Sequence, residues 1–197
     1  MLPSPIHSLL LDIRAGWERD STPTLDVFGA GALVLQRPLY RSTKDADVLR
    51  TASIDEADEG HLLGLAGPGT TLARRHGVYV EVVANGIPLL PHVPEWIPLD
   101  FEDERTTPRV RVLGAVDVAI SKLNRFNAND RSDIDYLIRA GSVSHVAFLR
   151  RFLDAVDVRS FDARAEDLPE VVRCFHIVER DMFGLSELSD IELPSWV

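Results

Sequence analysis

Residues 27–48, VFGAGALVLQRPLYRSTKDADV, constrain the fold more than any other stretch of this chain. They join an apolar strand, a glycine turn, a short helix and a second strand, with 13 residues between Gly31 and Asp45. Glycines that open a helix let an anion approach the backbone N–H groups at the positive end of its dipole. The second strand carries Asp45 and Asp47, which project to one side because side chains alternate along an extended strand. Two carboxylates at that spacing repel each other, and Asp is disfavoured in strands, so solvent or a cation has to compensate. A solvated acidic strand edge accounts for the pair by itself. Behind a glycine turn the same pair suits a nucleoside triphosphate with its hard divalent ion, Mg2+, which takes oxygen ligands.

The rest of the chain is a succession of elements. Ile6, Leu9, Leu10, Ile13 and Trp17 lie at helical spacing over residues 4–20. Residues 55–77 read as helix with a break at Gly67-Pro68-Gly69, and VYVEVVA, 78–84, as a β-branched third strand. Residues 86–108 are rich in proline and read as a long connection in which Trp96 is an anchor, followed by RVRVL, 109–113, as a fourth strand. From Gly114 the pattern is helical, which divides the chain into a core over 1–112 and a helical region over 113–197.

Composition removes several function classes. The single cysteine, Cys174, excludes an internal disulfide and reads as a core residue of the last helix. No apolar run approaches the roughly 18 residues that span a bilayer, and no basic region precedes the first apolar stretch, so a cytoplasmic protein without a membrane partner is expected. A net charge of -10 over 197 residues argues against a general nucleic-acid coat. The acidity is concentrated at residues 154–197, with 11 acids and 4 basic residues. A local basic surface from Arg37, Arg41, Lys44, Arg74, Arg75, Arg105, Arg109 and Arg111 is compatible with this distribution, as is a scatter of solvated side chains.

The order of glycine turn, helix and Asp-x-Asp strand resembles the nucleotidyltransferase superfamily related to DNA polymerase β. That resemblance implies a mixed α/β (α+β) core with a sheet flanked by helices, and a third acid on a later strand; Glu81 stands at the matching position. It also implies that Gly29, Gly31 and Lys44 face the nucleotide, although Gly29-Ala30 replaces the usual pair. DVAISKLNRFNANDRSDIDYLIRAG, residues 117–141, looks like the Lys-Leu helix and paired-aspartate helix of AbiEii-type and MenT-type toxins of bacterial toxin–antitoxin pairs. Lys122 then corresponds to the nucleotide-phosphate lysine and Asp130 or Asp133 to the later acid. From the residues alone, a lysine among apolar neighbours can extend its head to water, and Asp130 can serve as a helix cap.

The activity so implied is Mg2+-dependent transfer of a nucleoside monophosphate, with a pyrimidine expected, to the 3′ end of tRNA. Asp45, Asp47, Lys122, Asp130 and Asp133 are the catalytic candidates, and Asp45, Asp47 and Glu81 the metal ligands. The chain would be a growth-inhibiting toxin silenced by a cognate, kinase-like antitoxin that phosphorylates Thr43 or Ser42. Nucleotidylation of a protein side chain and a non-catalytic interaction module with the same fold are the alternatives. His176 and Glu179, three apart on a helix, can bind a metal or form a surface pair.

Overall fold

The computed structural model describes residues 4–36, 42–101, 107–161 and 165–193. The basic candidates Arg37, Arg41 and Arg105 lie outside the described residues. The chain divides into two compact units. One comprises the chain up to Gly86 together with Trp96–Gly114; the other comprises Ile87–Glu95 and the chain from Ala115 onward.

The first unit is built on a five-stranded mixed sheet with strand order β3-β2-β1-β5-β4. Its strands are β1 (Thr24–Phe28), β2 (Asp45–Leu49), β3 (Tyr79–Val83), β4 (Trp96–Pro98) and β5 (Arg109–Leu113). β1 runs antiparallel to β2 and parallel to β5, β2 runs parallel to β3, and β4 closes the other edge antiparallel to β5. Four helices complete the unit: α1 (Pro5–Ala15), α2 (Gly29–Gln36), α3 (Glu56–Ala66) and α4 (Thr71–His76).

Strand alternation sorts the sheet into two chemically distinct faces. Leu25, Val27, Ala46, Val48, Val80, Val110 and Val112 point to one face and are buried. α1 contributes Ile6, Leu9, Leu10 and Ile13 to the same core. Gly31 brings α2 close enough that an added Cβ would stand 3.4 Å from Val27 Cγ1 and 3.5 Å from the Ala46 backbone. The opposite face carries the odd-numbered residues of β2, β3 and β5 with the even-numbered ones of β1 and β4, and it holds most of the charge.

Helix boundaries follow capping chemistry. Ser4 accepts from His7 N with Pro5 opening α1, Asp55 caps α3, and Thr70 caps α4 behind the Gly67-Pro68-Gly69 break. The expected four strands are present; β4, inside the proline-rich stretch read as connection, is an addition. Trp96 therefore belongs to a strand, opposite Leu113, with the Arg111 guanidinium 5.7 Å from its ring centre.

The second unit contains α5 (Ala115–Lys122), α6 (Ala128–Arg139), α7 (His145–Ser160) and α8 (Leu168–Asp181), with a 3-10 turn at Ala165–Asp167 before α8. Phe148, Phe152 and Phe175 form its aromatic core, with Phe175 stacked 4.2 Å from Phe152 and 5.1 Å from Phe148. Residues 87–95 are fastened here through the Asp117 carboxylate, which accepts from Glu95 N at 2.7 Å and from the Arg151 guanidinium. Arg151 also donates to Val93 O at 3.0 Å. Cys174 is buried, and burial pushes its thiol pKa up, in keeping with a core role. No helix among the described residues is long and apolar enough to cross a membrane.

Candidate active site

Register decides where the acids meet. β2 pairs with β3 so that Asp45 stands opposite Tyr79 and Asp47 opposite Glu81. All three carboxylates therefore lie on the charged face of the sheet, and one oxygen from each falls within 4.8 Å of the others. Asp45 and Asp47 are half-buried and Glu81 is exposed. Among the described residues this is the one grouping of His, Cys, Asp and Glu side chains able to surround a metal ion.

The glycine turn is part of the same construction. Phe28 pairs with Asp47 across β1 and β2, so Gly29, the next residue, begins α2 beside the Asp47 carboxylate. Its φ is +63°, a conformation that costs an L-residue with a side chain roughly 1–2 kcal/mol. A Cβ there would also stand 2.7 Å from Asp47 Oδ2. The backbone turn and the space in front of Asp47 thus both require glycine. Gly31 is different: it is buried and serves the approach of α2 to the sheet. Lys44 is exposed immediately before β2, and its carbonyl accepts from Tyr79 N, extending the strand pairing.

Three carboxylates with no soft donor among them match Mg2+, a hard cation that takes oxygen ligands and retains water and phosphate in its remaining positions. The volume kept clear by Gly29 at Asp47 adds to this fit. Thr43 approaches from the strand entrance, donating its hydroxyl to Asp45 Oδ1 at 2.6 Å. This fixes one oxygen of Asp45 with a neutral donor, and Ser42 is exposed beside it.

In the second unit the expected lysine and aspartates are also together, in a different environment. Lys122 Nζ lies 3.1 Å from Asp130 Oδ1 and 2.9 Å from Asp133 Oδ2. The three side chains are 6%, 1% and 0% exposed. Lys122 therefore does not carry its head to water, as a lysine on a mixed helix face can; it ends inside the unit between two anions. Asp130 has further duties. It forms a capping box with Asn127 at the start of α6 and binds Arg125 through both oxygens at 2.8 and 2.9 Å. Burial alone would raise the Asp130 pKa, but the bonds from Arg125 and the Lys122 charge outweigh it and hold the carboxyl below its ordinary value. Asp130 is both cap and ion-pair partner.

Reasoning from sequence missed several charged pairs. Arg111, counted toward a basic surface, is held by Asp26, a residue 2% exposed, through bonds of 2.8 and 2.7 Å. Their side chains share a sheet face through the direct β1–β5 pairing of Asp26 with Arg111. Alternation in TLDVF and RVRVL contains that phase, but only the pairing of the two strands gives the contact. Glu179, read as part of a surface or metal pair with His176, has a completely buried side chain. His176 Nδ1 and His145 Nε2 lie 2.9 and 2.8 Å from its two oxygens, and the Ser189 hydroxyl donates at 2.5 Å. The cluster ties α7, α8 and the following segment together.

No curated protein and no solved structure gives a significant match. A family described as a nucleotidyltransferase of unknown function (DUF6036) matches residues 9–167, a span that contains β1, the glycine turn, all three acids and the Lys122 region. The five-stranded mixed sheet with flanking helices is consistent with a polymerase β-like core. With most of its length matched, the chain belongs to this nucleotidyltransferase family.

Proposed function

We propose that the protein transfers a nucleoside monophosphate from a nucleoside triphosphate to the 3′ end of tRNA, and that it acts as a growth-inhibiting toxin controlled by a cognate antitoxin. The observation that carries the transferase part is the convergence of Asp45, Asp47 and Glu81 beside the Gly29 turn. The tRNA and toxin assignments come from the resemblance of residues 117–141 to AbiEii-type and MenT-type toxins.

Asp45, Asp47 and Glu81 would hold Mg2+, which supplies neutralisation of phosphoryl charge and acidification of the attacking hydroxyl. The residues themselves do three things. The α2 N-terminus at Gly29 offers backbone N–H groups and a positive dipole end to the triphosphate. Thr43 holds one Asp45 oxygen in place through its hydroxyl. Glu81, the exposed carboxylate of the three, would accept the proton of the acceptor hydroxyl. The new bond joins the acceptor oxygen to the α-phosphorus as the α-phosphorus–pyrophosphate oxygen bond breaks. The resemblance assigns Lys122 to the nucleotide phosphates, and Asp130 and Asp133 hold its ammonium.

The test is incubation of the protein with Mg2+, each α-labelled nucleoside triphosphate, and either tRNA or total protein. Label on tRNA that disappears with Asp45→Ala, at unchanged melting temperature, is expected. Label on protein instead would transfer the assignment to side-chain nucleotidylation. Absence of label from both pools under active antitoxin-free conditions would remove the catalytic reading.

The same geometry supports regulation at Thr43. A phosphoryl group on its hydroxyl would replace the donor to Asp45 with about 1.5–2 negative charges beside three carboxylates. Co-expression with a kinase-like antitoxin is expected to add one phosphate by intact mass, absent in Thr43→Val; retention of the added mass in that variant would move the site to Ser42 or elsewhere.

A further inference from the structure

The charged face of the sheet has a second feature, away from the acid cluster. A cavity of about 680 Å³ opens where β1, β5 and the segment after β4 come together, at the end of β1 opposite the glycine turn. Its volume lies in the range of nucleotide-sized ligand sites.

Three guanidiniums line it, Arg14, Arg109 and Arg111, against two carboxylates, Asp26 and Asp100. The cavity is therefore locally cationic in a chain of net charge -10. Two of the guanidiniums are already engaged. Arg111 is bound by Asp26, and Arg14 is 6% exposed, donates to Pro108 O at 2.7 Å and lies 4.7 Å from the Phe101 ring centre. Arg109 is exposed at the start of β5, and no side chain among the described residues pairs with its guanidinium.

The remaining wall divides by chemistry. Thr24, Thr51 and Ser53 bring hydroxyls to one side, with Ser53 Oγ bonded to Thr24 O at 3.1 Å and 2.9 Å from Thr51 Oγ1. Hydroxyls of this kind both donate and accept, so they can meet the polar edge of any base. Pro98, Leu99 and Phe101 provide the apolar surface that a flat base would cover. An available guanidinium, a row of hydroxyls and an apolar wall together suit a phosphate, a base edge and a base face.

The register gives the distance to the acids. Asp47 pairs across Phe28 and Arg109 pairs across Thr24, on strands separated by β1. Two strand spacings and four residues along the strand place them roughly 16 Å apart on one face. This is too far for both to touch one nucleotide triphosphate at its reacting phosphorus, and suits a strand laid across the sheet.

We propose that this cavity binds a nucleotide of the acceptor strand upstream of its reacting 3′-hydroxyl, with Arg109 on the phosphate and the hydroxyl row at the base edge. The proposal rests on the transferase reading for the identity of the strand, single-stranded RNA, and adds where that strand is held.

The experiment measures binding of a short fluorescein-labelled single-stranded RNA with a free 3′-hydroxyl by anisotropy, beside its transfer kinetics. Arg109→Glu is expected to weaken binding by about tenfold or more and to reduce the salt slope by about one. Arg109→Lys, which keeps the charge, should retain most of the affinity. Thr51→Trp fills the cavity without altering charge and should also weaken binding, with the KM for nucleoside triphosphate unchanged. Unchanged RNA affinity in both Arg109→Glu and Thr51→Trp would overturn the proposal while leaving the transferase reading intact, as would absence of RNA binding by an active enzyme. RNA binding that depends on Arg109 in a protein without transfer activity would uphold the cavity and remove the transferase reading.

Discussion

Two groups of carboxylates in this protein use opposite physical arrangements. In the first unit Asp45, Asp47 and Glu81 face one another on the sheet, within 4.8 Å and with access to solvent. In the second unit Asp130 and Asp133 face Lys122 and Arg125, and all but the arginine are buried. Both groups are compact, and a reading of sequence assigned both to one chemistry. Like charges at this distance repel one another, so a cation that binds between them relieves a cost. Neutralisation is already complete within the second group. Proximity of acids is thus weak evidence of function by itself; what faces them sets their chemistry.

Breaking the second group has the larger expected effect on stability. Lys122→Met removes the ammonium that Asp130 and Asp133 share, and loss of one partner from a buried ion pair costs about 3–5 kcal/mol. Urea unfolding of the second-unit aromatic signal would measure it. A stable variant would show that the ion pair contributes little, and loss of transfer in that case would then report on contact between Lys122 and the substrate.

Adding Mg2+ sharpens the contrast from the other side. At a hundredfold excess over Kd, a ligand of the folded state adds about 2.7 kcal/mol. Thermal melting should therefore rise with Mg2+ in the unaltered protein and cease to do so in Asp47→Asn. Equal Mg2+ response in both proteins would take the acids out of metal binding.

Acid should act on the second unit, with the smallest expected effect at neutral pH. The Asp130 and Glu179 carboxyls both lie below their ordinary values: burial opposes this in each, outweighed at Asp130 by Arg125 and Lys122 and at Glu179 by Ser189, His176 and His145. A depressed folded pKa contributes stability that is fully present above the unfolded value, near 4 for these groups, and is lost as pH falls through the folded one. Second-unit stability should be lost below about pH 4 on this account, and an Asp130→Asn variant should lose less over the same interval.

The legibility of the chain follows the range of its interactions. The β1–turn–α2–β2 segment was readable because its signals are local: alternation, glycine at the turn, and two in-phase acids. The α3–α4 break and the four C-terminal helices were readable for the same reason. β4 was hidden because three residues in a proline-rich stretch present no periodicity, and their strand character comes from β5. The partners of Asp26, Asp117 and Glu179 are all distant in sequence, at Arg111, Arg151 and His145, so no local pattern contains them. The surroundings of the Lys122 head were hidden for a related reason. Its apolar neighbours on α5 are visible in sequence, whereas the two carboxylates that surround its head come from the next helix.

The parallel pairing of β2 with β3 has a consequence for the life of the chain before it is complete. Asp45 and Asp47 leave the ribosome as neighbours, but Glu81 reaches them only after two further helices have been made and the crossover has closed. Pairings of this kind form late, since loop closure precedes the contacts that reward it. A nascent or truncated chain ending before β3 therefore carries the aspartate motif without its third carboxylate, so synthesis itself delays assembly of the full acid cluster until the sheet has been drawn together.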